Sequence, residues 1–276
     1  MEGMSKKIAA TSYQFRFLIG PDKREYTIHS YIVAQQSAAL STTVYGEFKE
    51  AKDGFVTWDD TDESTFLSFW HYVYTGNYDD PEPISKVEVD ADDPSNDSIQ
   101  ATSAKEPELE PQPKQIDFEW DWGHPSQKNA KRQSKRDMLW NDFQKSWRKD
   151  MSRYTENTTC NSGTGSTAHA DILIHHCRVY ILADRYDIPR LMDLSFNKLH
   201  QNLVEYNLSK QKPKDIVELL QFCYAEVVPE KLRQLVVHYA ACNAEILWKS
   251  KEFQDLLEDY SNLGTAFIGS LLLRLD

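Results

Sequence analysis

The chain has 276 residues, 40% of them hydrophobic and 12% aromatic, which allows one or two domains whose core is built partly on large rings. Its formal net charge of −12 disfavours nucleic acid and anionic lipid as partners unless a local basic patch intervenes. Met1–Ala10 holds no apolar stretch of a secretory signal, no run approaches a membrane span, and Cys160, Cys177, Cys223 and Cys242 form no CxxC pair, so a soluble, reduced intracellular protein of nucleus or cytoplasm is expected.

Tyr13–Ile19 alternates apolar and polar residues as a half-buried strand does. Gly20-Pro21-Asp22 signals a turn, and Glu25–Ile28 supplies a second strand, predicting a β-hairpin. A helical segment follows through Ile32, Val33, Ala34, Leu40 and Val44, interrupted at Ser37. Gly54–Trp58 reads as a third strand. Thr61 is the expected N-cap of the next helix, with Asp62 and Glu63 in its first turn, where the helix dipole favours acids. Phe66, Phe69, Trp70 and Val73 form its apolar stripe, and Gly76 stops it.

Composition then shifts. Asp79–Asp121 carries 14 acidic and 3 basic residues with repeated prolines, which predicts disorder. Lys128–Arg153 carries 9 basic and 3 acidic residues. Within it Leu139, Phe143, Trp147 and Met151 recur every four residues, a helix near 137–153 that needs a surface to dock on, in cis or in trans. Successive helices follow: Leu173, Cys177, Tyr180 and Ile181; a restart at Asp187-Ile188-Pro189; then stripes around Leu219, Leu235, Leu256 and Leu271.

The segment from Tyr26 to Glu50, with His29, Ala34, Ser37, Gly46, Phe48 and Glu50, resembles the start of a BTB/POZ domain. Tyr72-Val73-Tyr74-Thr75-Gly76 and Val179–Ile188, with Tyr180, Ala183 and Tyr186, resemble later pieces of the same family in the right order. The arrangement is similar to fungal BTB proteins with a long polar insertion. The resemblance implies an α+β, BTB/POZ-like fold, a small β-sheet flanked by helices. The first part would span 11–80, an insertion 81–170, the last BTB helices 171–205, and a C-terminal helical extension 206–276. It implies a non-catalytic protein-interaction module, acting as an adaptor for a cullin-type ubiquitin ligase, as a nuclear regulator that recruits other proteins, or as a self-associating scaffold. The family's cullin-contact motif falls on Phe48-Lys49-Glu50, and the other motif residues would be structural. Two positions depart from the pattern. Tyr13 and Ser30 stand where the corepressor-binding members carry Asp and Arg, and only about ten residues precede the first strand, little chain for the family's swapped N-terminal helix.

Other candidates have plainer readings. His29 has no nucleophile or orienting acid at recognisable spacing, so a buried, hydrogen-bonded histidine is expected rather than a general base. His175-His176-Cys177 lacks a second ligand pair, and neighbours on a helix point about 100° apart, so no metal is expected. Lys128, Lys131, Arg132, Lys135 and Arg136 are a solvated face or a nuclear import signal. Asp117–Trp122 alternates acid and aromatic, as a partner-binding peptide or a segment folded back on its own domain. No phosphate-binding glycine loop, nucleophile elbow or cofactor motif is present, so neither a cofactor nor a small-molecule substrate is expected.

Overall fold

Alternation puts Phe15, Phe17 and Ile19 on the buried face of the first strand, and this face organises the N-terminal half. The computed structural model describes residues 6–81, 135–147, 169–206, 208 and 213–272. A short helix α1 (Lys6–Thr11) leads into β1 (Gln14–Ile19), which pairs antiparallel with β2 (Arg24–His29). Gly20 and Lys23 take positive φ in the connecting turn. Helices α2 (Ser30–Ala34), α3 (Ala38–Tyr45) and α4 (Lys49–Asp53) carry the chain to β3 (Phe55–Trp58), which runs parallel to β1, giving the order β2-β1-β3. Helix α5 (Glu63–Thr75) covers the sheet. Its N-cap is Asp62 rather than Thr61: the Asp62 carboxylate accepts from the Thr65 backbone N–H at 2.9 Å, while Thr61 is buried. Gly76 closes α5 in the left-handed region at φ 81°.

The remainder is helical: α6 (Lys135–Ser146), α7 (His169–Arg185), α8 (Pro189–Glu205), α9 (Pro213–Ala225), α10 (Glu230–Cys242), α11 (Ala244–Leu247), α12 (Lys251–Asp259) and α13 (Ser261–Leu272). The protein is thus α+β, a small three-stranded sheet among many helices.

Two apolar clusters meet along α7. Val179, Leu182 and Ala183 join the sheet-side core with Phe17, Trp58, Phe66 and Phe69. Leu173, Cys177 and Tyr180 join the helical core with Phe196, Leu219, Leu235 and Phe253. A helix buried on two faces couples both cores, and each fully buried Phe or Leu contributes roughly 1.5–3 kcal/mol. Trp58 is the hub of the sheet side, packing on Phe17 and Phe69 and stacking on Tyr186 with centroids 4.4 Å apart. Asp187 takes φ 49° and turns the chain into α8, whose first residue is Pro189. Cys177, Cys223 and Cys242 are buried in the helical core, while Cys160 lies outside the described residues. Among the described residues no helix is long and apolar enough to cross a membrane.

The basic stripe helix folds in cis. Leu139 and Phe143 on α6 are buried against the helical core and Trp147 packs beside them, whereas Met151 lies outside the described residues. So do Asp117–Trp122, Lys128, Lys131 and Arg132.

Candidate functional site

The turn from α3 to β3 is assembled from caps. The Ser37 hydroxyl accepts from the Leu40 backbone N–H at 3.1 Å and starts α3 where the sequence had signalled a break. Gly46 ends it, donating its N–H to Thr42 O at 2.8 Å. A Cβ on Gly46 would lie 2.3 Å from that same oxygen, so the residue is required by close approach and not by positive φ. Phe48 is the N-cap of α4, with an extended backbone and no side-chain cap bond. Glu50 occupies the first turn, half-buried, where the helix dipole favours its charge. Gly54 closes α4 at φ 70° and returns the chain to the sheet.

This turn shows its aromatic rings to solvent. α4 buries none of its residues, and Phe48 is 64% exposed. Tyr45, on the other side of Gly46-Glu47, is also exposed and meets the exposed Tyr13 edge-on at 6.2 Å. Both tyrosines are pinned: Tyr13 donates to Val44 O at 2.9 Å and Tyr45 to Ser30 Oγ at 3.1 Å. Tyr13 and Ser30, the two departures from the family pattern, are therefore neighbours, joined by a 2.8 Å bond from Ser30 N–H to Tyr13 O. Helix α1 stands directly before them, with Ile8 exposed and Ala9 buried.

The remaining motif residues hold the frame. His29 is half-buried, not buried: its Nδ1 lies 2.9 Å from Tyr74 Oη, and its backbone N–H reaches the same oxygen at 3.3 Å. Position explains this, since His29 ends the edge strand β2 and faces the exposed side of α5. Ala34, Tyr180 and Ala183 are buried. Tyr186 stacks on Trp58, and burial pushes its hydroxyl up to about 12.

One polar cluster escaped the sequence reading. His175 and His176 are both buried but face different ways. His175 turns to α5, with Nε2 2.9 Å from Ser68 Oγ and Nδ1 3.4 Å from Ser64 Oγ. His176 turns to the chain leaving α5: Nδ1 is 2.9 Å from Tyr78 Oη, and Nε2 is 3.3 Å from Asp80 Oδ1 and 3.0 Å from Asn202 Nδ2. Lys198 Nζ sits 5.0 Å from the Tyr78 ring centroid. Desolvation lowers both imidazoles, His175 to about 4, and raises Tyr78. The His176 hydrogen bond lowers Asp80. The cluster is a lock that fixes Tyr78–Asp80 to α7 and α8. Among the described residues no group of three or more His, Cys, Asp or Glu side chains converges as metal ligands. No protein-family model matches the chain, and no curated protein does.

Proposed function

We propose that the chain is a non-catalytic protein-interaction module of BTB/POZ type, an intracellular adaptor that contacts a cullin-type ubiquitin ligase through Phe48 and Glu50. The observation that carries this reading is the exposure of Phe48 at the head of a helix that buries nothing. An exposed ring on a rigid turn, with a carboxylate two residues on, has the form of an interface anchor: the ring fills a partner's pocket and the charge meets a donor at its rim. The two glycine-closed ends of the turn hold that pair in place. A non-catalytic role is supported by the partners of the buried titratable cluster. His175, His176 and Tyr78 are engaged with one another and with serine, asparagine and aspartate partners inside the fold.

The test is co-purification of tagged chain with cullins from cells. Wild type retains a cullin, and Phe48→Asp and Glu50→Ala lose it while melting within a few degrees of wild type. A wild-type chain that retains none overturns the adaptor reading. Retention of other copies of itself instead would favour the scaffold. The nuclear alternative rests on the basic cluster, of which Lys135 and Arg136 are exposed on α6.

A further inference from the structure

β2 is an outermost strand of the sheet, so among the described residues one of its long sides has no neighbouring strand. Along an antiparallel strand the backbone groups of successive residues point alternately to its two sides. Ser30 N–H, just past β2, donates to Tyr13 O at 2.8 Å on the β1 side. Arg24, Tyr26 and Ile28 share that parity and turn their N–H and C=O groups to β1, opposite Ile19, Phe17 and Phe15. Glu25, Thr27 and His29 turn theirs outward.

Two side chains of α5 reach that outward side. Trp70 Nε1–H donates to Thr27 O at 3.2 Å, and His29 N–H donates to Tyr74 Oη at 3.3 Å. Tyr74 Oη also lies 2.9 Å from His29 Nδ1, so one residue holds the hydroxyl twice. Trp70 and Tyr74 stand one helical turn apart, with ring centroids 4.9 Å from each other. Each is 39% exposed, so core filling does not account for two large rings here. Their polar atoms do: one occupies an outward carbonyl of the edge and the other an outward amide. Indole donates and cannot accept, so Trp70 gives an incoming strand no acceptor in place of the carbonyl it covers.

Uncovered, this edge would be self-complementary. Laid antiparallel on a second copy about a twofold axis through Thr27, β2 sets Thr27 opposite Thr27 and Glu25 opposite His29. The first is a hydroxyl pair and the second faces a carboxylate with an imidazole, both favourable across strands. Glu25 and Thr27 are exposed and His29 is half-buried, so the side chains do not block the approach.

We infer that Trp70 and Tyr74 guard the β2 edge, closing Thr27 O and His29 N–H against pairing with β2 of a second copy. Unpaired strand edges are templates for association, and two side-chain bonds from α5 remove this one. The guard is independent of the Phe48 turn.

The test is sedimentation of the full chain over a range of concentrations. Trp70→Ala/Tyr74→Ala should keep its helical circular dichroism and self-associate at least about tenfold more tightly than wild type. Adding Thr27→Lys sets two ammonium groups opposite each other on the twofold axis and should return the mass to that of wild type. Thr27→Lys alone should leave the wild-type mass unchanged, because the edge is already closed. A folded double variant that sediments like wild type overturns the inference. So does association that Thr27→Lys leaves intact, or a wild-type mass that falls on Thr27→Lys. If the double variant unfolds, Trp70→Phe decides, since it keeps a ring and deletes only the indole N–H donor. A rise in self-association that Thr27→Lys reverses supports the guard, and no rise overturns it.

Discussion

Tyr78 Oη and His176 Nδ1 lie 2.9 Å apart, both side chains fully enclosed. The bond ties the chain leaving α5 to α7. A histidine whose pKa falls on folding binds fewer protons in the native state than in the unfolded one. Its stabilisation is therefore complete above its unfolded value of about 6.5 and is lost as pH falls through the folded value. His175, at about 4, faces Ser64 and Ser68 of α5, Asp62 at its cap, and Asp80, His176 and Arg178. His176 faces Tyr78, Asp80, Lys198 and Asn202. The melting temperature should drop steeply between about pH 6.5 and 4. His175→Gln, which keeps a partner for Ser68 but cannot titrate, should make that acid limb shallower by on the order of 3 kcal/mol. An unchanged limb would rule out the lock as its source.

The His29 to Tyr74 contact makes a smaller claim. It joins two exposed or half-exposed groups, so Tyr74→Phe should lower stability by about 1 kcal/mol in urea unfolding with an unchanged slope. A loss well above that would mean the hydroxyl supports more than the end of β2.

The two glycines of the Phe48 turn should respond differently to alanine. At Gly46 a Cβ meets Thr42 O at 2.3 Å, so α3 must shift, at a cost of about 1–3 kcal/mol. At Gly54 nothing lies within 4 Å and only the left-handed backbone is strained, at about 1 kcal/mol. Chemical denaturation of both variants checks the order, and a reversed order would discredit the close approach at Gly46.

Periodicity in the sequence shows which faces need covering, and it located β1, the Phe66, Phe69 and Val73 stripe of α5 and the Leu139 and Phe143 stripe of α6, whereas Trp70, placed in the α5 stripe by spacing, is exposed and Tyr72 is buried in its stead. It could not say what covers them. Leu139 and Phe143 demanded a groove, but nothing local distinguishes α8 and α10 of the same chain from another molecule. The Tyr78, Asp80 and His176 lock was illegible for the same reason, since its bonds join residues about a hundred positions apart. Adjacent cap formers Thr61 and Asp62 were indistinguishable by type, and only the backbone path selects the second. The aromatic content of the Phe48 turn was visible. Its exposure was not, because an apolar residue in a turn reads equally well as local packing.

That exposure yields the sharpest separation of stability from binding. Phe48 is exposed and α4 buries nothing, so Phe48→Asp should not lower the unfolding free energy, and as a carboxylate at the uncapped α4 N-cap it should raise it by up to about 1 kcal/mol. If the ring is a hot spot, the same change should weaken partner binding by about 2 kcal/mol or more, roughly thirtyfold, in calorimetry with a purified cullin N-terminal domain. Glu50→Ala should cost a few tenths of a kcal/mol in the free chain, because its carboxylate also favours the α4 N-terminus. If Phe48→Asp melted several degrees lower, the ring would be holding the fold together, and the loss of binding could then be explained without an interface.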